Sequence, residues 1–496
     1  MNKSSIWLQR LRVQYALLLL ALPLAAGPLK FDRNVARAYE SIQPERVYAV
    51  CKALASPQFS GRLTGDKGYT AAARWVAGQF KAWGLKPFDG KNGYLQAFPS
   101  PCVLVREAEM TLYLEEKNEA SDQGAPKEIP LQLEKDFLPL LFSDSGERTG
   151  ELVFAGWAIS APELGYDDYE GVDVRQKFVL CFRGTPDASD KRYEPHDEHR
   201  HRMRTARDKG ALGIIYIYPE SVSNPNGDWL EGFTPALITE RVADMIFKAK
   251  GVTSADLKKD LSTYKKPLSF GLPGKIRLRV KSTHVAEATG YNVVGWVEGS
   301  DARLKKEFIV IGGHLDHNGQ HAGLLFPGAD DNASGSAVVM EIAAAFAKLS
   351  RKPKRSVIFI LFGGEEKGLQ GSTYFVEHPL PGLEKMDAMF NFDMVGAGDG
   401  AGCGYSADFS ELKSLIEAAD ESVKILKQTS PIRAVGVRGS DHAPFFLKGI
   451  PCLSFHSNGP HLYYHQTRDT IYRINPEIMA DIARLAFLAA LARADR

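Results

Sequence analysis

The chain has 496 residues, more than one ordinary hydrophobic core accommodates, so at least two domains are predicted. Hydrophobic residues make up 44% and charged residues 24%, a balance typical of soluble globular proteins. The formal net charge is +1, which gives no reason to expect nucleic acid or an anionic membrane as a partner. The five cysteines contain no CxxC pair, which argues against thiolate zinc sites and redox motifs. Their odd number predicts at least one thiol that is free or pairs between chains.

The N-terminal segment has the pattern of a secretory signal. Basic residues precede an apolar run from Tyr15 to Gly27, which is shorter than the roughly 20 residues that span a bilayer. Small residues, Ala25 and Ala26, close the run. We therefore predict a signal peptide over residues 1–26 and a periplasmic or secreted protein. The alternatives are an uncleaved anchor or a buried first helix.

The next two segments differ in their hydrophobic periodicity. Residues 41–85 read as helices with a polar loop between them, and the apolar spacing over 68–85 predicts a helix that stops at Gly84. After Pro101, short alternating runs predict strands separated by turns. The stretch "KFVLCFRG" is typical of a buried strand, and "RMRTARDKGALGIIYIY" of a helix, a turn and a strand. Residues 105–284 are therefore predicted to form a separate β-rich module with its own helix.

From residue 285 to the C-terminus, strands and helices alternate. The runs "EFIVIGG", "SVIFILFGG", "MDAMFNF" and "GIPCLSF" are apolar throughout, as in strands buried on both faces. Helical stretches lie between them, and the last begins at Pro476 with Asn475 as its predicted N-cap. This order predicts an α/β fold with a mixed, largely parallel central sheet sandwiched by helices.

Ionisable residues follow three of these strands, at the sheet edge where ligands collect in α/β proteins. They are His314, Asp316 and His317 after the first strand, Glu365 and Glu366 after the second, and Asp393 after the third. Asp330, Asp331 and Asn332 precede a predicted helix, where they could also be simple N-caps. Three strands that bring carboxylates and imidazoles to one edge predict a shared site.

The carboxylates of such a cluster would repel one another without a bound cation, and divalent cations remove this electrostatic repulsion. Imidazole and carboxylate without thiolate suit catalytic zinc, with cobalt or manganese as substitutes. The HExxH motif and the G-x-S-x-G nucleophile elbow are both absent from the sequence. A loop role is favoured for Asp330, pocket lining or surface for His317 and His321, and structural support for Asp441 and His442. The histidine-rich tract over 196–202 is interpreted as a solvated loop or helix start.

Six motifs carry a family resemblance. In chain order they are "GGHLDH", "PGADDNASG", "FGGEEKGLQGS", "FNFDMVG", "GSDHAPF" and "YYHQTRDT". In this order they resemble the co-catalytic, dizinc exopeptidases, a family that includes aminopeptidase Y, bacterial leucyl aminopeptidases, glutamate carboxypeptidase II and glutaminyl cyclase. The resemblance covers residue 291 to the C-terminus, and a weaker one covers the N-terminal region. It implies the zinc exopeptidase fold, built from residues 39–104 and 285–496.

The resemblance also implies roles for individual residues. The implied ligands of two zinc ions are His314, Asp331, Glu366, Asp393 and His465. Asp331 would bridge the ions, with His314 and Asp393 on one side and Glu366 and His465 on the other.

Three further residues receive catalytic roles from the same resemblance. Asp316 would orient a ligand imidazole, Glu365 would be the general base and Tyr464 would polarise the scissile carbonyl. Relatives have a cis peptide after the bridging aspartate, which makes Asp331–Asn332 a candidate. The β-rich module at 105–284 resembles the protease-associated domain, which flanks the cleft in relatives.

The implied function is a metal-dependent aminopeptidase that hydrolyses N-terminal residues from peptides through a water activated by two zinc ions. A carboxypeptidase or dipeptidase on the same site is the first alternative; it needs a cation for the substrate carboxylate, and Arg433 and Arg438 are available. Glutaminyl cyclase is a further alternative, although five ligands favour two metals over one. A non-enzymatic receptor or scaffold is the last, since such members lose ligands that this chain keeps. The expected partner is a peptide substrate, without nucleic acid and without membrane once the signal is cleaved.

Overall fold

The computed structural model of the protein describes residues 32–90, 93–115, 127–383, 385–426, 432–435 and 439–496. The predicted signal peptide at 1–26 lies outside the described residues. Within them, the helices are α1 Arg33–Glu40, α2 Pro44–Leu54, α3 Lys67–Ala82, α4 Glu194–Asp197, α5 His199–Asp208, α6 Glu240–Phe247, α7 Ser254–Tyr264, α8 Gly335–Ala347, α9 Gln370–Glu377, α10 Ser410–Val423, α11 His442–Leu447 and α12 Pro476–Ala494.

The described strands belong to two large sheets and two short hairpins. In chain order they are β1 Lys86–Pro87, β2 Leu95–Pro99, β3 Cys102–Leu114, β4 Lys127–Leu131, β5 Phe137–Pro139, β6 Gly146–Ala155, β7 Ser160–Ala161, β8 Tyr166–Asp167, β9 Phe178–Phe182, β10 Gly213–Tyr218, β11 Ala236–Thr239, β12 Ser269–Val285, β13 Thr289–Val297, β14 Glu307–His314, β15 Gln320–His321, β16 Leu324–Leu325, β17 Ser356–Phe362, β18 Lys385–Phe392, β19 Ala401–Ser406, β20 Ile432–Val435 and β21 Cys452–Ser457.

The first sheet has the order β1-β13-β17-β14-β18-β21-β19-β20, with β2 also paired to β13. Its four central strands, β17, β14, β18 and β21, run parallel. Antiparallel pairs join β13 to β17 on one side and β19 to β21 on the other. The predicted mixed α/β fold is confirmed, with the parallel strands at the centre of the sheet. His314 pairs with Phe362, so β14 and β17 end at the same edge.

Helices cover both faces of this sheet. Ile309 and Ile311 of β14 belong to a core shared with α2, α3, α8, α10 and α12. Phe308 and Val310, the intervening residues, belong to a second core shared with α9 and α11. Because successive side chains of a strand point to opposite faces, burial on both faces explains the unbroken apolar runs of the sequence.

The second sheet lies within the segment that was predicted to be a β-rich module. Its order is β4-β3-β12-β6-β9-β10-β11-β5, and it has hydrophobic cores of its own. The predicted buried strand is β9, and the predicted helix and strand are α5 and β10. The sequence predicted one helix here, whereas the structure has α4 to α7. We call residues 102–285, which carry this sheet, the inserted module.

Other local predictions are borne out. The helix predicted over 68–85 is α3, and Asn475 caps α12 by accepting a hydrogen bond from the Glu477 N–H at 3.1 Å. All five cysteines are buried free thiols. None of the helices in the described ranges is long and apolar enough to cross a membrane.

Candidate metal centre

The central strands deliver the predicted ligands to one edge of the first sheet. His314 is the last residue of β14, and Asp393 follows β18 directly. Glu365 and Glu366 follow β17 after a Gly-Gly turn. Asp331 lies in the irregular turn Ala329–Ser334 that leads into α8. These positions follow from topology, because parallel strands end at the same edge.

One group of ligand atoms surrounds His314. Its Nε2 lies 3.3 Å from Asp393 Oδ1 and 3.4 Å from Asp331 Oδ1. Glu365 Oε2 is 4.0 Å from the same nitrogen. One imidazole therefore faces three carboxylates, which is a donor set for one divalent cation.

A second group surrounds His465, which lies in the loop between β21 and α12. Its Nε2 is 2.9 Å from Glu366 Oε2 and 3.2 Å from Asp331 Oδ2. Asp331 thus turns one oxygen to each group. This is the placement expected of a carboxylate that bridges two metal ions. The peptide bond Asp331–Asn332 is cis, as the resemblance implied.

His317 also lies in the second group, although the sequence analysis did not assign it as a metal ligand. Its Nδ1 is 2.7 Å from Glu366 Oε1 and 3.8 Å from Asp331 Oδ2, and the residue is fully buried. The sequence interpretation was pocket lining or surface. Its place three residues after His314 was the available signal, but spacing within a loop does not say where a side chain points.

The other two residues with predicted roles are also close. The Asp316 carboxylate accepts the Glu365 N–H at 3.2 Å, and its Oδ1 lies 3.8 Å from His314 Nδ1. The main-chain oxygen of Asp316 is nearer to that nitrogen, at 3.2 Å. Tyr464 stacks on the imidazole of His465 with ring centroids 3.7 Å apart, and is 50% exposed.

Burial and mutual charge set the protonation of these groups. Burial, reinforced by the Asp393 carboxylate, raises the pKa of Glu365 well above its ordinary value. Burial opposes ionisation of Glu366 too, but His465 and His317 hold its pKa well below the ordinary value. Two adjacent carboxyls therefore differ: one retains a proton readily and the other stays anionic. That difference suits a proton-transferring group beside a metal ligand.

The residues present fit a pair of divalent metal ions. The ligand atoms of His317, Asp331, Glu366 and His465 lie within 4.8 Å of one another, as do those of His314, Glu365 and Asp393. Among the residues that the structure describes, the buried His465 Nε2 has no hydrogen-bond partner, although carboxylate oxygens face it. Nitrogen and carboxylate donors without thiolate suit zinc in a catalytic site.

Neighbouring residues support the turn that carries Asp331. The Asp469 carboxylate accepts the N–H groups of Asp330 at 2.9 Å and Asp331 at 3.1 Å. Asp330 itself accepts the Gly396 N–H at 2.9 Å and contacts His461 Nδ1 at 2.5 Å. Asp330 therefore supports the loop, and its carboxylate faces away from both ligand groups.

The remaining residues considered from the sequence lie outside the two groups. The ring of His321 is buried and stacks on Phe326. Asp441 is buried beside the site, and burial raises its pKa to about 7. The histidine-rich tract covers the end of α4 and the start of α5, which agrees with the predicted helix start. The predicted solvation is wrong for His199 and Arg202, which are buried.

A cavity of about 160 Å³ opens beside Tyr464. Its lining includes Met394, next to Asp393, together with Leu462, Tyr463 and Arg473. The lining thus includes sequence neighbours of Asp393 and His465 and has apolar side chains in its wall.

Comparison with known proteins agrees with this geometry. Residues 292–490 match the model of peptidase family M28. An aminopeptidase from Pseudomonas aeruginosa is 26% identical over 411 residues, which cover 80% of this chain and 67% of the relative.

Two solved structures have the same fold. The peptidase M28 precursor from Shewanella amazonensis superposes with a TM-score of 0.67 at 21% identity, covering 93% of this chain and 97% of that one. The aminopeptidase from Aneurinibacillus sp. strain AM-1 has a TM-score of 0.62 at 22% identity, covering 93% and 96%. The match to the peptidase family M28 model spans every predicted metal ligand.

Proposed function

We propose that the protein is a dizinc aminopeptidase that removes N-terminal residues from peptides. The observation that carries the proposal is Asp331, whose two oxygens face two separate groups of imidazole and carboxylate ligands. His314 and Asp393 would hold one zinc ion, and Glu366 and His465 the other. Zinc bound here would lower the pKa of a water molecule and polarise a carbonyl group.

The protein's own residues would handle the protons and the substrate. Glu365 would take a proton from the attacking water and return it to the leaving amine, the role for which a raised pKa is suited. The Tyr464 hydroxyl would donate a hydrogen bond to the scissile carbonyl oxygen as negative charge develops there. Asp316, behind His314 and hydrogen-bonded to the Glu365 N–H, would keep both side chains oriented.

The charge of the site favours an N-terminal substrate group. Glu365 and Asp393 are acidic and lie on the solvent side of the ligand cluster, with side chains 15% and 20% exposed. A free α-ammonium group would be attracted to the Asp393 carboxylate, whose pKa His314 lowers against the effect of burial, whereas a substrate carboxylate would be repelled. The adjacent cavity, with Met394 and Leu462 in its wall, would take the side chain of the first residue.

A carboxypeptidase is the second candidate, and Arg473 is the observation that favours it. This side chain lines the cavity beside Tyr464, where it could pair with a terminal carboxylate. Of the arginines considered from the sequence, Arg438 lies outside the described residues, and the side chain of Arg433 is not described either.

The decisive experiment compares substrates. Purified protein is assayed on aminoacyl-anilides and on N-blocked peptides, before and after chelation and after addition of zinc. We expect cleavage of the free-amine substrates only, loss with chelator and recovery with zinc. Cleavage of blocked peptides alone would replace the aminopeptidase proposal with the carboxypeptidase one.

Two further assignments are part of the proposal. Residues 105–284 would be a protease-associated domain, supported by the separate sheet and cores of that segment. Residues 1–26 would direct export to the periplasm or the medium. Deletion of these residues should leave the protein in the cytoplasm, and unchanged export would refute the signal assignment.

A further inference from the structure

A loop of the inserted module lies against the metal centre. This loop, residues 219–228, follows β10 and lies against the chain that carries His465. The Ser223 N–H donates to the main-chain oxygen of His465 at 2.8 Å, and His465 Nδ1 lies 3.0 Å from the main-chain oxygen of Ser223. Two reciprocal hydrogen bonds thus join residues 242 positions apart in the sequence.

The second of these bonds determines which ring nitrogen can bind metal. A carbonyl oxygen can only accept, so His465 Nδ1 must carry the proton and donate to Ser223. The Nε2 atom, which faces Glu366 and Asp331, is then left with its lone pair free for a cation. A loop of the inserted module therefore sets the tautomer and the ring orientation of this ligand.

His465 also needs support for its backbone. Its φ of +56° lies in the left-handed region, which non-glycine residues rarely adopt. Such a conformation persists only where surrounding contacts hold it. The hydrogen bond from the Ser223 N–H to the His465 oxygen is one such contact.

The same loop approaches the other members of the second ligand group. Ser223 Oγ donates to Asn318 Oδ1 at 3.2 Å, and Asn318 Nδ2 lies 3.4 Å from His317 Nε2. Arg200, on α5 of the inserted module, donates to the main-chain oxygen of Lys367 at 2.9 Å. Lys367 directly follows Glu366, so this contact restrains the chain that presents the ligand.

Arg200 also holds the loop in place. Its guanidinium donates to Asn226 Oδ1 at 2.5 Å and to Asp228 Oδ1 at 2.8 Å. His199 Nε2 contacts Asn224 Nδ2 at 2.6 Å. The start of α5, the loop and the second ligand group therefore form one connected set of hydrogen bonds.

The first ligand group is supported differently. His314 and Asp393 stand at the ends of β14 and β18, and the described contacts of His314 are to residues of the catalytic segment. Ser336 Oγ of α8 donates to the His314 main-chain oxygen at 2.7 Å. The two halves of the centre thus depend on different parts of the molecule.

We propose that the inserted module completes the metal position of His465 and Glu366, with Ser223 and Arg200 as positioning residues, while the position of His314 and Asp393 forms without it. The proposal rests on the dizinc centre proposed above. It makes the two sites unequal: one belongs to the central sheet alone, and the other requires the docked module.

The test measures zinc binding without substrate. Wild type and the Arg200→Ala and Ser223→Pro variants of the full chain are loaded with zinc, and both affinities are determined by competition with a chromophoric chelator. We expect both variants to keep one zinc affinity and to weaken the other about 10- to 100-fold, the usual cost of losing a partner that orients a metal ligand. Arg204→Ala is the matched control, because Arg204 lies on the same helix and pairs with Asp228, but has no described contact with the catalytic segment.

The outcomes separate this proposal from the proposed function. Two unchanged zinc affinities in Arg200→Ala, or equal weakening of both, would overturn the positioning roles, and Arg200→Ala decides the matter if Ser223→Pro fails to fold. A selective loss of one zinc in a protein that cleaves no peptide would refute the aminopeptidase and leave this inference standing. Wild type that binds fewer than two zinc ions would remove the basis of both.

Discussion

Both sheets of this protein bury charged side chains, but they arrange them in opposite ways. In the inserted module, Asp168 is fully buried and accepts hydrogen bonds from the Trp157 N–H, the Ile159 N–H and the Tyr166 hydroxyl at 2.8–3.1 Å. Arg202 is likewise buried and donates to the main-chain oxygens of Trp157 and Asp197. Each charge there meets groups of complementary character.

At the edge of the first sheet the partners are other ionisable groups. His465 Nε2 lies 2.9 Å from Glu366 Oε2 and 3.2 Å from Asp331 Oδ2, and further carboxylates lie beside them. Burial of like charges without compensation is costly, and divalent cations would offset that cost. Burial of charge therefore does not by itself identify a functional site. What distinguishes the metal centre is that several buried metal-ligating side chains face one another.

Glu365→Gln has the largest expected effect and tests whether the ionisable groups at the edge of the first sheet serve catalysis. We expect kcat to fall by about 10³-fold or more, since the amide cannot transfer a proton, with two zinc ions still bound. The loss corresponds to about 4 kcal/mol of transition-state stabilisation. Steady-state kinetics and elemental analysis on the same sample measure both quantities.

Glu341→Gln is the matched control for this substitution. Glu341 is a buried glutamate of α8 that pairs with Arg46 at 3.1 Å, outside the metal centre. Its kcat should stay near wild type. A Glu365→Gln variant that turned over at the wild-type rate would show that another group transfers the proton.

Arg202→Met tests whether the buried charge in the inserted module stabilises the fold and has no part in catalysis. The substitution leaves the main-chain oxygens of Trp157, Asp197 and Gly184 without this donor. Because each buried acceptor left unsatisfied costs about 1–3 kcal/mol, we expect the free energy of unfolding to fall by about 3–5 kcal/mol. Urea denaturation followed by circular dichroism measures the change. Arg204→Met, on the same helix but half exposed, should change it by less than about 0.5 kcal/mol. Similar small losses in both variants would contradict the structural role of the buried arginine.

Leu462→Ala should have the smallest effect and concerns the substrate pocket. Leu462 is 65% exposed and lines the cavity beside Tyr464, so its side chain is free to contact substrate. Loss of that contact should cost about 1–2 kcal/mol with substrates that have a large apolar first residue. This corresponds to about 5- to 30-fold in kcat/KM, with little change for alanyl substrates.

Leu447→Ala is the comparison variant for the pocket. Leu447 is 72% exposed and is absent from the cavity lining. Its kcat/KM should match wild type on every substrate. If Leu462→Ala reduced kcat/KM equally for leucyl and alanyl substrates, the cavity would not be the side-chain pocket.

Much of the first sheet was predictable because the hydrophobic pattern of each strand is a local property of the sequence. The apolar runs that became β14, β17 and β18 are buried on both faces, and this shows in the sequence as missing alternation. Since parallel strands end together, His314, Glu366 and Asp393 could be placed at one edge from strand order alone. His465 could not be placed in this way, because several loop residues separate it from the end of β21. Its assignment came from the motif.

Contacts between segments that are distant in the chain left no pattern in the sequence comparable to the apolar runs of the strands. His317 was interpreted as lining, although its Nδ1 lies 2.7 Å from Glu366. Ser223 belongs to no motif of the sequence analysis, and Arg200 stands in the tract interpreted as a solvated loop or helix start. Their hydrogen bonds to His465 and Lys367 depend on how the inserted module docks.

The sequence by itself determined the mixed α/β sheet, the separate β-rich segment and the residues able to bind metal, because hydrophobic periodicity and residue type are local properties of the chain. Only the tertiary structure decided how Asp331 divides its two oxygens and which loop orients His465. These are properties of side-chain direction and of contacts between segments more than 200 residues apart. Residue type limits which ligands are available, whereas packing decides which of them meet.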